Sequence, residues 1–146
     1  MFLFPRLFEQ HVSYIQGECN KIGIPTYTGV YNGPEDLVGF KGIIYFPYAW
    51  SNLALFENIQ RGIIHFVPSE IFIRQHRGQV RSLTLHQFEL CEWYAPENRD
   101  LFVYFDSWRD LKEKIATLNF EQKRNQIRAR ARGHRAKTLE QWQQVF

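Results

Sequence analysis

The sequence predicts an α/β fold in which a parallel β-sheet is flanked by helices. Its central part, residues 41–69, contains two apolar runs, at 43–46 and 63–67, which are separated by an aromatic turn and a short helical segment. Each run is apolar on both faces, which is typical of strands in a parallel sheet that helices cover on both sides. The two runs and the helix between them therefore predict one βαβ unit.

The residues before this unit also alternate between predicted strands and predicted helices. A strand at 1–4 precedes an amphipathic helix, whose apolar residues recur at spacings of three and four until Gly23 ends it. A second strand is predicted at 24–30, and Pro34 starts a single helical turn behind it. These segments add two more strands to the predicted sheet.

The residues after the unit are less regular. Residues 70–92 show no periodicity and predict a long surface loop, with a short strand or turn at 82–85. An apolar strand is predicted at 101–105. Ser107 and Asp110 then approximate a capping box, which opens a helix. These residues therefore predict a last strand followed by a helix.

The charge of the chain is uneven. Residues 1–120 carry 11 Lys and Arg against 13 Asp and Glu, whereas residues 121–146 carry 7 against 2. We interpret 1–120 as one α/β domain and 121–146 as a basic helical extension packed on it. The extension could bind nucleic acid, but we favour a solvated outer face on a packed helix. Its buried stripe is predicted to contain Ile127, Ala131, Leu139, Trp142 and Phe146.

The composition is that of an ordinary soluble globular protein, with 45% hydrophobic and 23% charged residues. The aromatic fraction of 16% is high. It predicts either a core packed with rings or an aromatic surface that meets a sugar or another domain.

The two cysteines, Cys19 and Cys91, have no paired spacing, so the sequence predicts neither a disulfide framework nor a metal site. A reducing cytoplasm is the expected compartment. No signal peptide is recognisable, and no apolar run approaches the length of a membrane span.

The candidate ligand site lies where the first strand of the central unit meets its helix. Backbone N–H groups at Ser51 and Asn52 lack intrahelical partners, and the helix dipole adds positive charge, so a phosphate could bind there. Glu57, two turns later, could accept hydrogen bonds from a sugar diol. The alternative is that Ser51 is only an N-cap and Glu57 a solvated residue, which is the commoner case for such spacing.

Three further candidates follow other strands. Arg6 lies at the predicted carboxyl end of the first strand, where a phosphate could bind. Gly29 and Tyr31 lie at the end of the second strand and could contact a base or ribose. The alternatives are a surface arginine and ordinary turn chemistry.

Together these segments resemble the C-terminal, nucleotide-sugar-binding half of a glycosyltransferase of the two-Rossmann (GT-B) type. The first likeness is the aromatic turn and helix at 47–57 with the Arg61–Ser69 segment behind it. The second is the strand-to-helix step at 105–111, and the third is the basic helix that continues to Trp142. The resemblance covers nearly the whole chain and implies a Rossmann-like fold.

The resemblance also implies roles for the candidate residues. Glu57 would hydrogen-bond the ribose hydroxyls of a nucleoside-diphosphate sugar. Ser51 and Asn52, with Tyr48 in the turn before them, would hold the diphosphate, and Arg6 would neutralise it as the leaving group. Gly29 and Tyr31 would line the nucleobase pocket. Residues 1–120 would then form the donor-binding domain.

The implied activity is transfer of a sugar to an unknown acceptor without a metal or cofactor, since no Asp-x-Asp triplet is present. Ala49 stands where many relatives that retain anomeric configuration carry a second Glu. The family's N-terminal domain, which supplies the acceptor site, lies outside these residues and could belong to another chain. The alternative function is therefore a non-catalytic nucleotide-sugar-binding remnant or a split-enzyme subunit, and nucleic acid is not an expected partner.

Overall fold

The computed structural model describes residues 2–5, 9–48, 53–80, 88 and 90–145, with the backbone alone for residues 2–5, 9 and 10. Five parallel strands form one sheet in the order β2-β1-β3-β4-β5. The strands are β1 (Phe2–Pro5), β2 (Thr26–Gly29), β3 (Ile43–Ile44), β4 (His65–Pro68) and β5 (Phe102–Phe105). The predicted α/β fold with a parallel sheet is confirmed.

Helices connect the strands and cover the sheet. They are α1 (Glu9–Lys21), α2 (Pro34–Leu37), α3 (Leu53–Gln60), α4 (Glu70–Gln75), a 3-10 helix (Pro96–Leu101), α5 (Trp108–Thr117) and α6 (Phe120–Val145). The central unit is β3-α3-β4, and its two strands pair in parallel as predicted. No helix in the described part of the chain is both long enough and apolar enough to cross a membrane.

The aromatic residues form the core on both faces of the sheet. Tyr45 stacks on Trp93 at 4.3 Å between ring centroids, whereas the next residue, Phe46, packs against Phe105 at 6.2 Å and Trp108 at 6.2 Å. Consecutive side chains of an extended chain point to opposite faces, so each face receives its own set of rings. The high aromatic content is therefore explained by the core, the first of the two possibilities raised by the composition.

Two glycines end helices in the left-handed conformation. Gly23 has a φ of 74° and ends α1, as predicted, while Gly62 has a φ of 72° and ends α3. The backbone forms the same pair of hydrogen bonds at each glycine. At Gly62 these are Gly62 N–H to Ile59 O and Ile63 N–H to Asn58 O, both at 3.0 Å. A Cβ on Gly62 would lie 2.9 Å from Cγ of Arg128, so α6 packs directly on this turn.

The predicted loop over residues 70–92 is wrong at its start, because Glu70–Gln75 forms helix α4. The Ser69 side chain caps this helix by accepting a hydrogen bond from the Phe72 N–H at 3.2 Å. Phe72 and Ile73 of this helix are buried. Their burial stabilises α4, because a helix of six residues is not stable by itself. The strand or turn predicted at 82–85 lies outside the described residues.

The predicted buried stripe of α6 is correct for its first half and wrong for its second. Ile127 is fully buried and Ala131 half-buried, but Leu139 is 54% exposed and Trp142 is 56% exposed. A helix of 26 residues is about 39 Å long, roughly three times the length of a four-residue strand, so its end extends past the layer beneath it. Phe146 lies outside the described residues.

Candidate functional site

The order of the strands creates a crevice at the carboxyl edge of the sheet. From β1 the chain passes to β2 on one side, and from β3 it passes to β4 on the other side. Loops that follow two such neighbouring strands turn away from each other, and ligands of open α/β sheets bind in the space between them. The topology therefore predicts the candidate site at the carboxyl ends of β1 and β3, next to the end of β2.

Part of the predicted site falls outside the described residues. This applies to Arg6, which follows β1, and to Ser51 and Asn52 before α3, as well as to Ala49. Their predicted contacts with a diphosphate consequently stay predictions. The described part of α3 begins at Leu53 and carries Glu57 near its middle.

Three of the predicted residues come together. Tyr31 is half-buried, and its phenol lies close enough to Tyr48 and Glu57 for both to act on its ionisation. Burial raises the pKa of Tyr31, and the negative charge of ionised Tyr48 or Glu57 raises it further. The Asn58 side chain has the opposite effect, because an amide N–H near the phenol oxygen favours the phenolate. Tyr31 therefore stays protonated at neutral pH and can donate a hydrogen bond.

Separate elements hold these three side chains. The loop after Tyr31 is fixed by the Asn32 N–H, which donates to the Asp36 carboxylate at 2.9 Å. Tyr48 lies in the turn after β3, with its ring 6.4 Å from that of Tyr45. Glu57 is exposed on α3, and no described residue forms an ion pair with it. Two phenols and one carboxylate thus lie near one another at a surface that solvent can reach.

Gly29 is in a different position from the other candidates. It ends β2, but a Cβ built on it would lie 2.5 Å from the Tyr27 ring, so that ring already covers the Gly29 backbone on this side. Tyr27 is itself 46% exposed and packs against Phe40 at 5.8 Å. A ligand that approached Gly29 from this side would meet the Tyr27 ring first.

Two buried polar residues lie behind the site and were not predicted. The Asn58 side-chain nitrogen is 3.5 Å from Nε2 of His65, and both residues are almost fully buried. The Oδ1 atom of Asn58 has no hydrogen-bond partner among the described residues. The signal for His65 was visible as a single imidazole inside the apolar run of β4, whereas nothing in the sequence marked Asn58.

His65 is neutral at physiological pH. Burial lowers its pKa to about 4, although the backbone carbonyl of Ile63, which can accept an imidazole N–H, acts in the opposite direction. A neutral imidazole can accept the Asn58 N–H at Nε2 while its proton is on Nδ1. The Asn58–His65 pair therefore orients the amide that faces Tyr31, and His65 does not act as a proton donor near pH 7.

The assembled groups are suited to binding a polyhydroxylated ligand. Glu57 offers two acceptor oxygens, Tyr31 offers a donor, and the two tyrosine rings offer apolar surface. Among the described residues, no group of three or more His, Cys, Asp or Glu side chains could hold a metal ion. The described groups can therefore recognise a ligand through hydrogen bonds and ring contacts.

Comparisons with protein-family models, with curated proteins and with solved structures find no match for this chain.

Proposed function

We propose that the chain binds a nucleoside-diphosphate sugar at the carboxyl edge of a Rossmann-like sheet and acts as the donor-binding half of a glycosyltransferase. The observation that supports this proposal is the convergence of Tyr31, Tyr48 and Glu57. They come from three separate segments and lie near one another, and Tyr48 follows β3, one of the two strands between which the strand order changes direction. The proposal gives each of them a part of the donor.

Glu57 would accept hydrogen bonds from the two ribose hydroxyls, because an exposed carboxylate can take both at once. Tyr31 would contact the base or ribose as a neutral donor, with Gly29 at the margin of the same pocket. Tyr48 would lie beside the diphosphate. Arg6, Ser51 and Asn52 would complete the phosphate site with a guanidinium and free backbone N–H groups.

Sugar transfer in this proposal uses no metal. A guanidinium and a helix N-terminus would stabilise the charge that develops on the departing diphosphate, which is the role a divalent cation has in other enzymes. The acceptor site and any catalytic base would be supplied by a second, N-terminal domain. That domain could belong to another chain.

Calorimetric titration with a panel of nucleoside diphosphates tests donor binding. We expect the nucleoside diphosphate of one particular base to bind with a dissociation constant below about 1 mM. Glu57→Gln should weaken binding by roughly 10- to 100-fold, since a hydrogen bond to a charged group contributes about 1.5–3 kcal/mol. Tyr31→Phe should weaken it by less, because its hydroxyl is neutral.

Glu121→Gln is the matched control, because it removes one exposed carboxylate from the first turn of α6, away from the crevice. Its affinity should equal that of the unchanged chain. Failure of every nucleoside diphosphate to bind more tightly than millimolar would refute the proposal. Equal losses from Glu57→Gln and Glu121→Gln would refute the role of Glu57.

A second candidate function is a non-catalytic nucleotide-sugar-binding chain. Two observations favour it: Tyr31 stays protonated at neutral pH, and His65 is buried and neutral. Neither side chain is therefore a general base with a pKa near 7. Release of nucleoside diphosphate from the donor, measured with and without a co-purified partner chain, separates the two. Release only with the partner indicates a split enzyme, and binding without release in either case indicates the non-catalytic chain.

A further inference from the structure

Two adjoining cavities lie between α3 and α6. The first, of about 300 Å³, is mainly apolar and includes Leu55, Phe56, Ile59, Leu101 and Leu139 in its lining. The second, of about 380 Å³, is lined by four arginines, which are Arg61, Arg128, Arg132 and Arg135. Gln60, Ala131 and Arg135 border both cavities, so the apolar and the cationic space lie side by side along α6.

The charge of the cationic cavity is only partly compensated. Arg61 forms an ion pair with Glu35, and Arg128 donates to Oδ1 of Asn125 at 3.4 Å. No described residue accepts a hydrogen bond from Arg132 or Arg135. Residues 121–146 as a whole carry a formal charge of +5, so no local excess of carboxylates offsets these two guanidinium groups.

We propose that these adjoining cavities together bind a phosphate ester that carries an aliphatic chain. The phosphate would lie among Arg128, Arg132 and Arg135, because guanidinium groups match phosphate oxygens in charge and in planar hydrogen-bond geometry. The chain would fill the apolar cavity, which has the volume of a small-molecule site. This site is separate from the proposed donor site, since Tyr31, Tyr48 and Glu57 line neither cavity.

The combination of the two cavities selects this ligand class. A free phosphate would use the arginines but leave the apolar space beside them empty. A single-stranded nucleic acid would need a series of aromatic platforms for its successive bases, whereas Phe56 is the one Phe, Tyr or Trp among the described residues that line the two cavities. An aliphatic phosphate ester uses both spaces at once.

Titration of the full chain with octyl phosphate, inorganic phosphate and octanol tests the proposal. Octyl phosphate should bind at least tenfold more tightly than either of the other two compounds. In the series from butyl to octyl phosphate, affinity should rise by up to about fourfold for each methylene group, because each buried group adds a constant transfer free energy. Affinity that does not change with chain length would overturn the assignment of the apolar cavity.

Matched variants locate the two halves of the ligand. Replacing Arg132 and Arg135 together with Gln should weaken octyl phosphate binding at least tenfold, whereas Lys137→Gln, which removes a charge from the same helix outside both cavities, should change it less than twofold. Phe56→Ser should weaken octyl phosphate but not inorganic phosphate. Leu53→Ser, at a residue of α3 that is 86% exposed and lines neither cavity, should affect neither compound.

Three results would overturn the proposal. One is equal loss of binding in Lys137→Gln and in the double arginine variant, which would indicate attraction to the net charge alone. Another is tighter binding of a single-stranded RNA than of octyl phosphate, with competition between them. The third is binding to phosphatidic acid vesicles without binding of soluble octyl phosphate, which would indicate a membrane surface. Because Glu57→Gln should leave octyl phosphate binding unchanged, this proposal and the donor-site proposal can fail separately.

Discussion

The two halves of α6 carry similar numbers of basic residues and use them differently. In residues 120–131, Arg124 donates to the carbonyl of Phe40 at 3.1 Å, and Arg130 donates to the Asp100 carboxylate at 3.1 Å. In residues 132–145, Arg132 and Arg135 have no such acceptor among the described residues, and the helix is mostly exposed. Basic composition alone therefore does not tell whether a helix is attached to the protein or available to a ligand.

The acceptors make the difference. The first half of α6 crosses the loop before β3 and the 3-10 helix, where carbonyl groups at chain turns lack secondary-structure partners. Lys123 uses one of them, the Asp100 carbonyl, at 2.6 Å. The second half passes beyond these turns, so Arg132 and Arg135 border the cavities beside α3 without a carbonyl partner among the described residues. The following predictions test this division between an attached and a projecting half.

The largest effect is expected for truncation of the buried residue of the attached half. Ile127→Ala should lower the free energy of unfolding by about 2–5 kcal/mol, because it removes buried methyl groups and leaves a cavity. Leu139→Ala, the matched change in the projecting half, should lower it by less than about 0.5 kcal/mol. Urea denaturation of both variants measures the difference, and equal losses would contradict the division.

Acid should lower the free energy of unfolding, because His65 of β4 is buried in its neutral form. Unfolded His65 binds a proton below about pH 6.5, whereas folded His65 does so only below about pH 4. The unfolded state therefore holds more protons between these values, so stability is full above pH 6.5 and is lost as the pH falls towards 4. The loss from this group is about 3 kcal/mol, at about 1.4 kcal/mol per pKa unit.

Urea denaturation of the unchanged chain and of His65→Gln between pH 4 and pH 7 isolates this contribution. The variant is less stable at pH 7 in absolute terms, but its stability should change with pH less steeply by the stated amount. Parallel pH profiles would show that His65 titrates normally in the folded protein, and would remove the basis for treating it as a neutral partner of Asn58.

A pair of glycines provides a smaller test. Gly62→Ala should lower the free energy of unfolding by about 1–3 kcal/mol, because Gly62 has a positive φ and lies against Arg128. Gly133→Ala has open space around it and should raise helix stability by up to about 1 kcal/mol. Circular dichroism and urea denaturation report the two signs, and a loss in both variants would place Gly133 against an unrecognised neighbour.

Local signals in the sequence predicted much of the fold. The parallel unit β3-α3-β4, the stop at Gly23 and the Ser107 cap each depend on a few neighbouring residues, and each is confirmed; the Ser107 side chain accepts from the Asp110 N–H at 3.0 Å. Helix α4 was missed because six residues are too few to show a period. The exposed end of α6 was predicted as buried because apolar spacing continues past the point where the layer beneath it ends.

The candidate site was predictable in part for a similar reason. Tyr31 and Tyr48 follow strands, and Glu57 lies on the helix that comes after β3, so topology brings the three near each other once the βαβ unit is recognised. The Asn58–His65 pair is buried by residues that are distant in the sequence, including Tyr45 and Trp93, whose rings pack against His65. No local sequence pattern predicts such burial. The free arginines beside an apolar cavity likewise result from where α6 crosses α3.

The smallest expected effect separates the two uses of arginine most directly. Arg124→Gln should lower the free energy of unfolding by about 1–2 kcal/mol, because the carbonyls of Phe40 and Lys41 lose a charged donor that lies 3.1 Å and 3.3 Å away. Arg132→Gln should change it by less than about 0.5 kcal/mol, as is usual for exposed side chains without partners. If urea denaturation gives the reverse order, the arginines of the projecting half stabilise the fold and are not available to an anionic ligand. If the order is as expected, α6 is attached through one set of arginines while Arg132 and Arg135 remain available for binding.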